Sequence, residues 1–184
     1  GRVNYDYDAD MLAVSPYLHG EWQALSQLRL SAGLRYDYFR VDYTDNLDAS
    51  VAQQQFGFGG FNHLRPESQT ISYDSLSPKF GAVWNATPDL DLFANYRHSF
   101  RAPSVGRIFR PGSSQDTDEL KPVHSDSFEI GTRGKLADWL NYNVTLYHMM
   151  VKDDIVSYID NVSGDRKISN AGETEHQGIE IELK

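Results

Sequence analysis

Apolar and polar residues alternate with a period of two along most of this sequence. From Leu28 to Tyr38, one set of alternate positions holds six apolar or aromatic side chains, and the other set includes two arginines and an aspartate. A period of two sends successive side chains to opposite faces of a β-strand. The same pattern recurs at residues 13–24, 76–86, 90–101, 125–136, 140–147 and 178–184. We therefore predict an all-β fold of about seven antiparallel strands.

The connections between these strands alternate in length. Short breaks fall near residues 25–27, 87–89 and 137–139, and long polar connections fall near 44–75, 102–124 and 160–171. Short turns at one end and long loops at the other are typical of barrels in the bacterial outer membrane, where the turns are periplasmic and the loops extracellular. Residues 1–12 are then expected to be the tail of a preceding long loop.

Strand length and aromatic placement favour a membrane barrel over a soluble β-sandwich or lipocalin-like barrel. Residues 28–43 continue without proline, whereas strands of soluble proteins average about 5–6 residues and a tilted membrane strand needs about 9–11. All three tryptophans lie beside or inside short breaks, and several tyrosines lie toward the long-loop ends. Such paired bands are typical of membrane interfaces. The predicted interface aromatics are Trp22, Trp84, Trp139, Tyr36, Tyr38 and Tyr96.

The charged positions predict which face meets lipid. Turning Arg29 or Arg35 toward the bilayer would cost about 2–4 kcal/mol each near the midplane. Their face is therefore expected to line the lumen, where acidic and amide side chains can pair with the arginines. The residues predicted to face the lumen are Arg29, Arg35, Asp37, Glu129 and Arg133.

Composition excludes several classes of protein. The 184 residues carry a formal net charge of −9, which argues against a nucleic-acid partner because nucleic-acid-binding surfaces are basic. The absence of cysteine excludes disulfides and thiolate metal sites. No stretch approaches the roughly 18 consecutive apolar residues of a membrane-spanning helix. The six histidines lack the spacing of metal ligands, so we predict no metal and no cofactor.

Several short motifs follow one another in a defined order. Leu-Ser-Pro-Lys-Phe-Gly at residues 76–81 leads into a run that ends with Ser-Phe-Arg-Ala-Pro-Ser at 99–104. Leu-Lys-Pro at 120–122 precedes Ser-Phe-Glu-Ile-Gly at 127–131, and Asn-Ala-Gly-Glu at 170–173 precedes Gly-Ile-Glu-Ile-Glu-Leu at 178–183. This order and spacing resembles the barrel of TonB-dependent receptors. The family often has an acidic residue after Lys-Pro, where this chain has Val123 and His124.

The resemblance implies an outer-membrane importer of ferric siderophores, haem, cobalamin or a related scarce nutrient. In this family a barrel of about 22 strands encloses an N-terminal plug domain, and a TonB box before the plug contacts the energy-transducing partner at the inner membrane. We expect residues 1–184 to be one partial barrel domain cut at both ends, with the plug and the remaining strands outside it. Its expected partners are outer-membrane lipid, lipopolysaccharide, its own plug, the TonB complex and a ferric siderophore or similar ligand.

Arginines and aromatic residues cluster in two of the long loops. Arginine pairs with anions in bidentate fashion and aromatic rings stack on flat ligands, which suits anionic, partly aromatic compounds such as many ferric siderophores. The predicted ligand-binding residues are Arg101, Arg107, Phe109 and Arg110, with Phe58, Phe61, His63 and Arg65. The alternative is that Arg101 packs on the lumen wall or the plug, and that the loop residues face lipopolysaccharide phosphates.

Import of a ferric siderophore is the favoured function, with a haem or cobalamin receptor as a close variant. A passive porin-type channel shares the strand pattern, and a plug domain elsewhere in the protein would separate the two. A soluble β-domain that binds a small ligand is a further alternative. The sequence contains no arrangement that resembles an enzyme active site.

Overall fold

The structure is a computed structural model, and it describes residues 5–47, 64–114 and 116–184. Antiparallel strands dominate it, which confirms the predicted fold class. One sheet contains β1 (Tyr7–Val14), β2 (Tyr17–Leu25), β3 (Leu28–Asp45), β4 (Gln69–Thr87), β5 (Leu90–Arg101), β6 (Val123–Ala137), β7 (Leu140–Lys152) and β10 (Glu173–Leu183). A separate hairpin contains β8 (Ile155–Ile159) and β9 (Arg166–Asn170), and two helical turns are α1 (Val105–Phe109) and a 3-10 helix (Thr117–Glu119). In the described parts of the chain, no helix is long and apolar enough to cross a membrane.

The sheet follows the order β1–β3–β4–β5–β6–β7–β10, with β2 also paired to β3. β1 and β2 lie end to end along one side of β3 on a continuous register, with Val14 opposite Tyr38 and Tyr17 opposite Arg35. Pro16 separates them because it has no N–H to donate, although its carbonyl still accepts a 3.0 Å bond from the Tyr36 amide. The sheet therefore has seven strand positions, the number predicted from the alternation.

Three predicted loop boundaries are wrong. Residues 7–14 form β1, whereas a loop tail was expected there. Asp8 and Asp10 lie on the face that is apolar in the rest of the sheet, so the alternation of apolar and polar residues cannot be seen in this segment. β4 begins at Gln69, well inside the loop predicted for residues 44–75. The connection predicted for 160–171 contains β9, whose five residues are too few to show a clear period.

Backbone register sorts the strand residues onto two faces, because directly opposed residues of an antiparallel pair share a face. The polar face contains Arg29, Arg35 and Asp37 of β3 and the residues opposite them on the neighbouring strands. The apolar face contains Leu30, Leu34 and their opposed residues. Its members across the sheet include Leu18, Trp22, Phe80, Trp84, Leu92, Tyr96, Phe128, Ile130, Leu146 and Ile179.

The polarity of the two faces inverts within β3, between Tyr38 and Phe39. Beyond Tyr38 the apolar face carries Arg40 and Asp42, which form an ion pair at 2.8 Å. The polar face carries hydrophobic residues over the same segment, namely Phe39, Val41 and Tyr43, with Ile71 and Tyr73 opposite two of them on β4. The apolar face is thus apolar only over part of the strand, and hydrophobic packing moves to the other face beyond that point.

Candidate functional site

Two long connections fold over the polar face at the end where its polarity is inverted. We call residues 102–122 (without the undescribed residue 115) and 153–172 the cap loops. Ile108 and Phe109 of the first cap loop are fully buried, at 0% exposure, and they pack against Val41, Tyr43 and Ile71. This packing is the physical reason for the hydrophobic residues on the polar face at this end, because the part of the sheet covered by the cap needs an apolar surface.

The two cap loops also contact each other. Leu120, Val123 and Ile155 form a second buried cluster between them, at 4%, 6% and 7% exposure. The backbone N–H of Ile168 donates to the hydroxyl of Ser114 at 2.8 Å, and Ser114 is 2% exposed. The cap loops therefore form a packed layer over the sheet.

Three of the predicted ligand-binding residues are engaged in this packing. Phe109 is buried against Tyr43, so its ring is a packing element. The guanidinium of Arg107 donates to the carbonyl of Ile155 at 3.0 Å, across the two cap loops. The guanidinium of Arg101 donates to the carboxylate of Asp154 at 3.0 Å, and its side chain is 67% exposed.

Arg110 occupies a different setting, beside two tyrosines. Its guanidinium carbon lies 5.3 Å from the ring centre of Tyr7, within the range of a cation–π contact. The hydroxyl of Tyr5 accepts a 3.1 Å hydrogen bond from the Gly112 amide. Burial raises the pKa of Tyr5, and that hydrogen bond and the charges of Arg110 and Arg65 oppose the rise. The charge of Arg110 therefore acts on both phenol rings.

The structure describes only one of the four ligand-binding residues predicted in the loop at residues 44–75. Arg65 Nε lies 3.3 Å from Asp45 Oδ2, an ion pair with both side chains largely covered. Phe58, Phe61 and His63 lie outside the described residues. We call Tyr5, Tyr7, Arg65 and Arg110 the cationic–aromatic cluster. It lies at the capped end of the sheet, and its exposed cation, Arg110, could pair with a negatively charged group beside the rings, whereas Arg65 already pairs with Asp45.

The five residues predicted to face the lumen share the polar face. Arg35 and Asp37 form an ion pair at 2.7 Å, and Arg133 and Asp91 form another at 3.1 Å. Glu129 accepts from the Asn95 amide at 3.4 Å. Arg29 lies on the same face, opposite Gln23 and Val83. Most of the face consists of charged and amide side chains, with Val83 and Phe93 also on it, and this composition is expected of a surface that meets water or polar protein.

The predicted interface aromatics lie on the apolar face, apart from Trp139 in the β6–β7 turn. Trp22 and Trp84 lie near the short turns, and Tyr36 and Tyr38 lie at the opposite end of the apolar segment of β3. Tyr96 lies between Phe80 and Phe128, with ring centres 6.2 and 5.0 Å away. Sequence reasoning missed this row of rings, although each member sits at an alternate position of its strand.

Other contributors to the cap were not predicted either. Tyr5 and Tyr7 fell in a stretch expected to be a loop tail, and Ser114 has no sequence signal because its bonds reach residues more than fifty positions away. Among the residues that the structure describes, no three histidines or carboxylates come together in a way that could hold a metal ion.

Comparison with known proteins gives one family. The family described as "TonB dependent receptor-like, beta-barrel" matches residues 1–184. Among curated proteins, the vitamin B12 transporter BtuB of Photobacterium profundum is 31% identical over 109 residues, which are 56% of this chain and 17% of that protein. The rhizobactin receptor of Rhizobium meliloti is 22% identical over 149 residues, 72% of this chain and 20% of that protein.

Solved structures share the fold over nearly the whole chain. The copper transporter OprC has a TM-score of 0.74 at 20% identity and covers 96% of this chain, which corresponds to 26% of that structure. The ferric-catecholate import receptor Fiu of E. coli has a TM-score of 0.69 at 19% identity, with 98% and 26% covered. The chain thus spans about a fifth of the length of the curated relatives and a quarter of these structures.

Proposed function

Because this chain belongs to the TonB-dependent receptor β-barrel family of the bacterial outer membrane, we propose that its parent protein binds a ferric siderophore and imports it using energy delivered by TonB. The observation that carries the choice of ligand is the cationic–aromatic cluster at the capped end of the polar face. Arg110 lies over the ring of Tyr7, and the Arg110 charge also acts on Tyr5. Ferric complexes of catecholate type are anionic and carry flat rings, so they complement both features.

The two faces have different roles in this proposal. The apolar face meets lipid and lipopolysaccharide, and the polar face lines the lumen and meets the plug. Exposing the ion-paired residues Arg35 and Asp37 to hydrocarbon would be costly, whereas a hydrated lumen accommodates them. The cap loops lie outside the cell, where they form one side of the entrance to the lumen.

The similar proteins are transporters or receptors for several different nutrients, which supports the proposed import of a scarce nutrient but does not single out one ligand. The rhizobactin receptor and the ferric-catecholate import receptor favour a ferric siderophore. The 31% identity to a vitamin B12 transporter makes cobalamin the second candidate. We rank it second because cobalamin carries no net negative charge and would make little use of the Arg110 charge beside the phenol rings.

An uptake panel tests the proposal with the whole receptor. The gene is expressed in a strain that lacks its own siderophore, haem and cobalamin receptors, and uptake of ⁵⁵Fe tris-catecholate, ⁵⁵Fe trihydroxamate, haemin, cyanocobalamin and Cu²⁺ is measured. We expect uptake of a ferric siderophore that disappears when TonB is deleted. Exclusive uptake of cyanocobalamin would replace the favoured ligand by the second candidate. Uptake that persists without TonB would indicate a passive channel and contradict the proposal.

A further inference from the structure

The Asn-Ala-Gly and Leu-Lys-Pro motifs meet in the structure, through one side chain. Asn170 ends β9, and its Oδ1 accepts a hydrogen bond from the backbone N–H of Lys121 at 2.8 Å. Its Nδ2 donates to the carbonyl of Lys121 at 3.0 Å and to the carbonyl of Asp153 at 2.7 Å. Both amide hydrogens are therefore used. The Asn170 side chain thus bonds both the backbone N–H and the backbone carbonyl of Lys121, as a residue of a neighbouring β-strand would.

Asn170 thereby connects three separate segments of chain. Lys121 belongs to the first cap loop just before β6, Asp153 begins the second cap loop after β7, and Asn170 comes from the far side of the hairpin. Asp153 has a φ of 56°, a left-handed conformation that is uncommon for residues other than glycine, although aspartate adopts it more readily than most. The bond from Asn170 holds the carbonyl of this residue in place.

Further contacts join the same two loops at other points. The hydroxyl of Ser113 donates to the carbonyl of Arg166 at 2.9 Å, and Arg107 donates to the carbonyl of Ile155 at 3.0 Å. The buried cluster of Leu120, Val123 and Ile155 lies between them. The two cap loops are therefore connected both by side-chain hydrogen bonds to backbone carbonyls and by apolar packing. Moving one loop away from the other would break both kinds of contact.

We infer that Asn170 is a positioning residue that locks the two cap loops into one rigid body, so that they keep a fixed relation to each other while the receptor works. Their place outside the cell rests on the proposed function, but the lock between them does not. A fixed cap holds the cationic–aromatic cluster in its binding geometry before ligand arrives. Binding then avoids the entropy cost of ordering these loops.

Asn170→Asp tests the lock by hydrogen exchange of the whole receptor in detergent. Aspartate has nearly the shape of asparagine and can still accept from the Lys121 amide, but it cannot donate and turns a carboxylate oxygen toward two carbonyls. We expect exchange to accelerate at least tenfold in residues 117–121 and 153–156 together, with β5 to β7 unchanged. A side chain that only filled space would tolerate this substitution.

Asn161→Asp is the matched control, since it adds the same charge to the exposed turn of the same hairpin. It should leave exchange in residues 117–121 within about twofold of wild type. Exchange in Asn170→Asp that equals wild type, or that rises only within β9, would overturn the inference. Hydrogen exchange is measured without ligand, so its result tests the lock between the cap loops independently of the proposed transport function.

A disulfide across the cap provides a second test. The chain has no cysteine, so Ser113→Cys with Arg166→Cys introduces the only thiols in this stretch. We expect efficient cross-linking on oxidation and exchange rates in both cap loops within about twofold of the reduced form. Loops that normally separate would exchange at least tenfold more slowly once cross-linked, and that result would contradict the fixed arrangement.

Discussion

The ring of Phe109 stacks on the ring of Tyr43, with centres 4.0 Å apart and planes 2° from parallel. This pair fastens the first cap loop to β3, and Phe109 has no exposed surface. The contact couples the cap to the segment of β3 where the polarity is inverted.

Phe109→Ala should therefore release the cap while leaving the barrel wall intact. Removing a buried phenylalanine costs about 3–5 kcal/mol, and here the loss should appear locally, as faster hydrogen exchange in residues 105–120. Phe128→Ala is the control, because Phe128 is 44% exposed on the apolar face. Equal effects of the two variants on the cap would show that Phe109 has no special role there.

The assignment of faces predicts opposite outcomes for two adjacent substitutions. Ala32→Arg places a charge on the apolar face and should lower the free energy of unfolding by about 2–4 kcal/mol near the bilayer midplane. Ser31→Arg places the same charge on the polar face, opposite Glu21, and should cost much less. Urea unfolding of the whole receptor in lipid vesicles measures the free energy of unfolding of each variant. A lower stability of Ser31→Arg than of Ala32→Arg would refute the assignment of the two faces.

The hairpin turn at Asp160 should respond to acid. Hydrogen bonds from the Ser163 amide, the Lys167 ammonium group and the Val162 amide lower the pKa of Asp160 well below its usual value. A lowered folded-state pKa stabilises the turn above the ordinary aspartate pKa of about 4, and the contribution is lost as the pH falls below that value. Amide exchange in residues 160–167, corrected for the intrinsic rate, should therefore increase below about pH 4.

Asp160→Asn separates this effect from general acid sensitivity. The variant should show faster exchange at neutral pH and a flatter dependence on pH, since it has no carboxylate to protonate. Asp165→Asn removes a charge from the same turn and serves as the control. A wild-type turn whose exchange does not change between pH 6 and pH 3 would contradict the role of Asp160.

Arg110 should matter for ligand binding more than any other exposed arginine of the cap. Arg110→Gln removes the charge beside Tyr5 and Tyr7 and should weaken binding of a ferric tris-catecholate to the whole receptor by roughly 10- to 100-fold, the value of about 1.5–3 kcal/mol for a charged hydrogen bond. Arg166→Gln removes an exposed charge from β9 and should change affinity less than twofold. Unchanged affinity in Arg110→Gln would exclude the cluster as the binding surface.

Much of the fold could be predicted from alternation alone. β3 and β5 to β7 largely follow the pattern because each has one apolar and one polar face, which requires a period of two. β1 was missed for a physical reason. Its residues belong to the zone where the polarity of the faces is inverted, so Asp8 and Asp10 take the positions that are apolar elsewhere.

The candidate site could be predicted only in part. A loop phenylalanine looks the same in sequence whether it faces a ligand or a core, and the buried setting of Phe109 depends on an apolar stripe beneath it. That stripe was visible in Phe39, Val41 and Tyr43. Arg107 offers no such signal, because its partner is a backbone carbonyl 48 residues away.

The inversion between Tyr38 and Phe39 also bears on how the strand is placed in the membrane. A one-residue slip of β3 against β4 exchanges the two faces, which turns Arg29 and Arg35 toward hydrocarbon and leucines toward water. A two-residue slip of β3 toward its short-turn end keeps the faces but draws Arg40 into the bilayer. Both slips therefore raise the free energy of the inserted strand: the one-residue slip does so along its whole length, and the two-residue slip does so at the Arg40 end. Insertion can select the correct depth and register by energy alone, without any contact that recognises the sequence.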